Sequence, residues 1–413
     1  MDINLLQSVC ILGRQPALGL AELESLYGAS AVTGVSPRVA GLSLHASEVD
    51  FTRLGGSTRV AHVLTKVPST DWKAVERSLS EITLELALTL PDGKIQLGLS
   101  AIDLKTSPAK LNATALGLKK LLRDRTGRSV RVTPNPEPEL NTAQVLHNHL
   151  TGPTGIEVLL IAASDGQTIL ARTSHVQDIN EYTLRDRGRP KRDARVGMLP
   201  PKLAQIITNL AAAQTPPSSN TVILDPFCGT GVILMEASVM GYEVYGSDLD
   251  ERMIDYTDKN LMWLLDQSGN RIQRNPEAAN DPSWRYFKLE QGDATSHAWS
   301  PMPHIVASET YLGRPFTSSP KPEVLAQTAN EVNLILKKYL QNIAHQLSKG
   351  DRLCIAVPAW RNSGGHFKYL PLIDQLSNLG YNQVRFEHVR DEQLLYYRED
   401  QIVARQLLVL IRK

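Results

Sequence analysis

Asp225-Pro226-Phe227-Cys228-Gly229-Thr230-Gly231 falls between an apolar run at 221–224 and a helical pattern at 232–240, so it reads as strand, tight turn and helix. Gly229 and Gly231 lack a Cβ, which lets a ligand lie against backbone amides where the helix begins, the usual crevice of an open α/β sheet. A dinucleotide fingerprint needs a third glycine at Leu234, and a phosphate loop needs Gly-Lys-Ser/Thr; neither is present. Two further strand-like runs lead to acids, 242–248 to Asp248 and 285–289 to Asp293. Three acids at three successive strand ends suit a nucleoside. Asp248 can take two ribose hydroxyls, Asp293 can accept from an adenine amino group, and Asp225 can face a methionyl ammonium and sulfonium. That set points to S-adenosylmethionine, with Asp225, Phe227, Gly229, Gly231, Asp248 and Asp293 as its binding residues. Taken singly, each acid is equally at home as an ordinary turn or N-cap residue.

The chain has 413 residues, 42% hydrophobic, enough for two or three cores. No uncharged run is long enough to cross a bilayer and no basic leader precedes the apolar start at 9–12, so a cytoplasmic protein without membrane contact is expected. Cys10, Cys228 and Cys354 lie far apart, which suggests neither a disulfide framework nor a zinc site, and no metal is expected. Cys228 reads as a small filler of the turn.

Net charge is only +1, but the basic residues cluster. Lys119, Lys120, Arg123, Arg125, Arg128 and Arg131 form one group; Arg185, Arg187, Arg189, Lys191, Arg192 and Arg195 form another. Both can neutralise phosphates, with arginine prevailing as planar bidentate contacts require. The first group also fits a solvated helix face beside the apolar stripe Leu118, Leu121 and Leu122, whereas Gly188 and Pro190 give the second the look of an exposed linker.

The elements that must carry these residues fall into two halves joined near 180–200. The N-terminal half reads as α+β: a strand at 9–13, a helix at 18–27 and short strands to about 67, then strands at 95–100, 130–133, 157–164 and 168–173 with helices through 119–124 and 142–150. The C-terminal half reads as a doubly wound α/β sheet. A leading helix at 199–213 precedes the three strand-and-acid units, followed by a strand at 304–308, a polar loop at 309–320, a long helix at 322–347 and a strand at 352–358. A helix at 368–379 and an antiparallel pair at 383–389 and 402–411 close the chain.

Arg189-Pro190-Lys191-Arg192-Asp193-Ala194, Gly197-Met198-Leu199-Pro200-Pro201-Lys202-Leu203-Ala204-Gln205 and the 225–231 turn resemble the THUMP-containing tRNA guanosine-N2 methyltransferases of archaea and eukaryotes. Val9-Cys10-Ile11-Leu12-Gly13-Arg14 is similar to that family's ferredoxin-like opening, and 142–150 with Gly155-Ile156-Glu157 to the end of its THUMP domain. The resemblance implies a ferredoxin-like domain at 1–68, a THUMP RNA-binding domain at 69–178, a linker at 179–200 and a Rossmann-like class I methyltransferase domain at 201–413. It implies transfer from S-adenosylmethionine to the exocyclic N2 of a tRNA guanosine, position ten being the family's best-known target, with Lys119, Lys120, Arg123, Arg128, Arg189, Lys191 and Arg192 on the RNA. A small activating protein subunit, present in eukaryotic members, is a further partner the resemblance raises.

The family carries Asp-Pro-Pro-Tyr after the fourth strand, where this chain has Ser308-Glu309-Thr310-Tyr311-Leu312-Gly313. A guanine amine is a poor nucleophile, so a side-chain oxygen and a backbone carbonyl must hold its two hydrogens while an aromatic face stacks the base. Glu309, the carbonyl of Thr310, and Tyr311 or Phe316 are placed to supply these, with Glu309, Thr310 and Tyr311 the catalytic candidates. Loss of both prolines is expected to loosen the loop. Two other readings compete: an amino-methyltransferase acting on another base, in DNA or RNA, and a protein that binds cofactor and RNA without catalysis.

Overall fold

The computed structural model describes residues 5–193, 198–218, 220–267, 271–273, 284–316, 320–362 and 364–413. The chain divides into two compact units, residues up to 20, 27–52 and 56–179 in the first, and 21–26, 53–55 and 180–413 in the second.

The first unit is built on one sheet of eight described strands, β1 (Ser8–Leu12), β2 (Val32–Ser36), β3 (Val39–Leu42), β4 (Ser57–Val67), β5 (Ile95–Ile102), β6 (Val130–Val132), β7 (Gly155–Ala162) and β8 (Thr168–Val176), in the order β2-β3-β1-β4-β8-β7-β5-β6. β5 pairs parallel with β6 and β7, and the other neighbours are antiparallel. Strands from 1–68 and from 69–178 therefore share one hydrogen-bonded sheet, continuous across the expected boundary through the β4–β8 ladder. α1 (Pro16–Tyr27) matches the sequence expectation. α2 (Trp72–Thr89) is an addition to it: Asp71 caps the first turn by accepting from Lys73 N and Ala74 N, and Val75, Leu79, Thr83 and Ala87 recur on the buried face. α3 (Pro108–Thr126) runs a full turn and more beyond the residues that sequence marks, from a Ser107 cap with Pro108 in the first turn to Gly127 at φ 69°, and α4 (Thr142–His147) follows.

Inside that sheet sits a fully buried ion pair. Arg59 Nη1 donates to Glu157 Oε1 at 2.8 Å, Ser100 Oγ donates to the same oxygen at 2.6 Å, and Thr173 Oγ donates to Oε2 at 2.6 Å. Arg59 also donates to the Leu140 carbonyl. The carboxylate thus takes three donors from three strands, the satisfaction a charge needs so far from water.

The second unit begins with helical turns where a linker was expected: α5 (Ile179–Thr183) and a π-turn at Leu184–Gly188. Arg185 Nε donates to buried Glu236 Oε1 at 2.8 Å, so this segment is anchored in the unit rather than free in solvent. After α6 (Pro201–Ala212) come β9 (Val222–Asp225), α7 (Val232–Val239), β10 (Glu243–Asp248), α8 (Glu251–Gln267), β11 (Arg271–Gln273), β12 (Trp284–Gln291), β13 (Ile305–Glu309), α9 (Pro322–Ala344), β14 (Arg352–Arg361), β15 (Phe367–Lys368), β16 (Tyr381–Gln383), β17 (Leu395–Tyr396) and β18 (Val403–Arg412). The order is β11-β12-β10-β9-β13-β14-β18-β16, parallel except for β18, with β15 and β17 alongside β14 and β18. Phe367–Lys368 and a 3-10 turn at Pro371–Gln375 occupy the region expected as a helix at 368–379, whose Pro371 and Gly380 limit any longer run. The strand expected at 383–389 shortens to Tyr381–Gln383. Buried Leu224, Val306, Leu336, Tyr339, Leu353 and Leu408 join strands and α9 into one core.

Glu157→Ala should weaken the first unit by about 3–5 kcal/mol, the scale for leaving a buried partner charge uncompensated. Chemical denaturation followed by hydrogen exchange at strand amides β4 to β8 checks this.

Candidate active site

The strand order reverses at β9, with β10 on one side and β13 on the other, and such a reversal opens a crevice at the carboxyl ends of the strands. A cavity of about 1040 Å³ lies there, large for a small-molecule site. It is lined by the ends of three parallel strands, Asp225, Asp248 and Glu309, together with Phe227, Gly229 and Asp293.

Local backbone geometry explains the glycines. Gly229 and Gly231 have φ of 52° and 81°, where side-chain-bearing residues are strained, and Gly231 opens α7. A Cβ at Gly231 would lie 2.8 Å from Thr257 Cγ2 on α8. Thr257 Oγ donates to the Gly229 carbonyl at 2.8 Å, and Asn260 Nδ2 donates to the Thr230 carbonyl at 2.8 Å and to the Lys191 carbonyl at 2.9 Å. Lys191 N returns a bond to Asn260 Oδ1 at 2.9 Å. Cys228 is buried behind the turn, and burial raises its thiol pKa well above the usual value, which suits a filler.

Asp225 is 2% exposed and accepts from Ser308 Oγ at 2.6 Å and Phe227 N at 3.1 Å. Burial pushes its pKa up to about 8 against those two bonds, and the nearby Asp248 and Glu309 push the same way. Asp248 is raised too, by burial, although its oxygens accept from Gly229 N and Asp250 N, both at 2.9 Å. Each of those oxygens keeps a second lone pair for a hydroxyl. Asp293 is exposed and uses Oδ1 to accept from Thr295 N and Oγ. Phe227 packs edge-on against Tyr339, centroids 5.0 Å apart.

The fourth strand ends in an ion pair: Arg405 Nε on β18 donates to Glu309 Oε1, side chains 8% and 17% exposed. Thr310 donates both N and Oγ to the Ala356 carbonyl, at 3.0 and 2.9 Å. These two bonds anchor Thr310 itself, the first residue after the strand. Tyr311 is 44% exposed on the cavity, Phe316 is half-buried beneath Arg314, and Arg314 Nε donates to Thr328 Oγ at 2.9 Å. Sequence reasoning missed Arg405, Arg314 and Lys338 as cavity residues; the one signal for Arg405 is a charge near the start of a mostly apolar strand.

The basic residues divide. Lys120, Arg123 and Arg192 are exposed, while Lys119 and Lys191 are half-buried, the latter with Nζ 5.4 Å from the Tyr256 ring centroid. Arg128 is withdrawn from the expected RNA set because its guanidinium donates to the carbonyls of Ala87 in the last turn of α2 and of Leu90, Pro91 and Gly93 beyond it. Arg189 is 2% exposed, enclosed where an open linker was expected. Arg195 lies outside the described residues. Among the described residues no group of His, Cys, Asp or Glu is arranged to hold a metal, and no helix is long and apolar enough to cross a membrane.

Residues 189–264 match the family model described as UPF0020, RMKL-like, methyltransferase domain. Over 65 residues the chain is 48% identical to a tRNA (guanine(10)-N2)-dimethyltransferase of Methanothermobacter thermautotrophicus, covering 16% of this chain and 18% of that protein. Over 81 residues it is 38% identical to the protein of the same name from Methanocaldococcus jannaschii, covering 20% and 22%. The matched segments thus span about a fifth of these relatives' length. A crystal structure of a possible methylase from Clostridium difficile 630 superposes with a TM-score of 0.51 at 12% identity, covering 99% of this chain and 98% of that one. This likeness shows the fold: α/β, with a Rossmann-like, mostly parallel sheet in the second unit.

Asp225 binds its proton more tightly in the folded chain, at about 8, than unfolded, at 3.8. Its stabilising contribution is full below the lower value and is lost as pH rises through the upper one. The unfolding free energy of the ligand-free protein should fall over that window, and Asp225→Asn, which keeps both accepted hydrogen bonds, should flatten the fall. Urea titrations of both proteins across the window measure the difference; parallel curves would remove Asp225 as its source.

Proposed function

We propose that the protein is an S-adenosylmethionine-dependent methyltransferase acting on the exocyclic N2 of a tRNA guanosine, with position ten as the first site to test. The convergence of Asp225, Asp248 and Glu309 on one crevice beside the glycine turn carries this reading. The donor set fits the methyl donor. A desolvated carboxyl raised to about 8 by burial and like charge is short of a cation, and a methionyl ammonium and sulfonium offer one. Asp248 has lone pairs left for ribose hydroxyls, and Asp293 keeps Oδ2 for an amino group. When bound, S-adenosylmethionine supplies an electrophilic methyl on sulfonium sulfur. The names of the matched relatives, and the methyltransferase-domain match that begins at Arg189 and runs through the turn, favour tRNA and guanine N2.

The chain's own residues orient the nucleophile. Glu309 has Oε1 engaged by Arg405 and lines the cavity, so Oε2 can accept one amine hydrogen while the Thr310 carbonyl accepts the other. Holding both hydrogens aims the nitrogen lone pair away from the carboxylate and lets one proton leave toward it as the new bond forms. Tyr311, exposed on the cavity, offers a face for a base taken out of its stack. In the same reading residues 1–68 and 69–178 are the ferredoxin-like and THUMP modules that receive tRNA, with Lys119, Lys120 and Arg123 on its phosphates, and the protein works in the cytoplasm.

Incubating the purified chain with methyl-labelled S-adenosylmethionine and unmodified tRNA, then digesting to nucleosides, should give N2-methylated guanosine. Glu309→Ala should lower kcat by about 10²–10³-fold, the scale of losing one preorganised partner, with methyl-donor affinity retained. Asp248→Ala should instead weaken donor binding in calorimetry. Transfer by the chain alone would dispense with an activating subunit; donor and tRNA binding with no transfer, even with cell extract added, would favour the non-catalytic reading.

A further inference from the structure

We propose that Pro358 and Arg405, register partners across β14 and β18, are the positioning residues that keep the Thr310 carbonyl and the Glu309 carboxylate available as an acceptor pair. This inference rests on the methyltransferase reading above.

Glu309 pairs with Ala356 on β14, and Pro358, two residues on, pairs with Arg405 on β18. Directly opposed residues and residues two apart share a sheet face, so Glu309, Ala356, Pro358 and Arg405 lie on one face. Glu309 and Arg405 are separated by a whole strand, roughly 10 Å at the usual spacing of neighbours. The long arginine side chain spans that distance over Ala356, whose methyl leaves the path open, and reaches Glu309 with Nε. A guanidinium held at 8% exposure fixes both where the carboxylate points and that it stays an acceptor.

The carbonyl is governed by the same register. In a parallel ladder a residue that donates to one partner strand position accepts from the N–H two residues further along that strand. Thr310 N donates to the Ala356 carbonyl at 3.0 Å, so the N–H that would close the next bond belongs to position 358. Position 358 is proline, buried in β14, and has no N–H to give. Proline is otherwise out of place inside a sheet, and here it ends the ladder one bond early at the carbonyl of Thr310, a cavity-lining residue. Thr310 compensates with Oγ, which doubles its hold on Ala356.

Pro358→Ala restores the competing donor, and Arg405→Gln removes the brace. Pro358→Ala should lower kcat by about tenfold with the melting temperature unchanged or raised and methyl-donor affinity unchanged, because the added ladder bond draws the Thr310 carbonyl toward β14 and takes one of its two lone pairs. Arg405→Gln should lower kcat by about 10–100-fold, the cost of a misplaced group near the reacting atoms. The same change in a Glu309→Gln background should add less than about twofold, since it then has no carboxylate to place. A stable Pro358→Ala protein with wild-type kcat, or additive losses at 309 and 405, would overturn the assignment. Absence of transfer by the wild-type protein would instead overturn the reading beneath it, so the two failures are told apart by the unsubstituted control.

Discussion

Asp225 stands at the carboxyl end of the central strand with 2% of its surface in water, and Asp248 and Glu309 end the strands on either side. Burial chiefly disfavours charge on the Asp225 carboxyl, and the acids ending the two neighbouring strands add to it. The surrounding structure is arranged around that constraint. Ser308 and the Phe227 amide donate to Asp225, the Gly229 and Asp250 amides to Asp248, and Arg405 to Glu309. Only Arg405 among these donors brings a full positive charge, so the region around Asp225 and Asp248 keeps its demand for a cation while the Glu309 end is neutralised.

The first unit meets a related problem with the opposite outcome. Glu157 is fully buried, but Arg59, Ser100 and Thr173 engage both of its oxygens from neighbouring strands and the guanidinium balances its charge. A balanced buried charge is a fastening; an unbalanced one at a strand end is a site. The charge cluster of the eight-stranded sheet draws groups from β4, β5, β7 and β8 together.

Much of this was legible in the sequence because periodicity and turn chemistry are local. The strand, glycine turn and helix at 225–231 and the acids at 248 and 293 fall where residue types alone place them. The long α2 was not legible, since its buried positions include Thr83 and its apolar stripe is thinned by serine and threonine. Nor was the fate of the arginines. Arg128 and Arg189 look like solvent-facing phosphate ligands in one dimension, yet one closes a helix end with four carbonyl contacts and the other is enclosed. The Glu309–Arg405 pair joins residues nearly a hundred positions apart, and only sheet order could reveal it.

Asn260 has a consequence for how this protein can diverge. Its amide nitrogen serves the Thr230 and Lys191 carbonyls at once while its oxygen receives the Lys191 amide. Aspartate would present oxygen where two hydrogens are needed, glutamine would overshoot by a methylene, and any aliphatic residue would orphan three backbone groups. A lineage could therefore redraw much of α8 and still find this position closed to drift, because the connector before α6 and the turn after β9 draw on a single side chain.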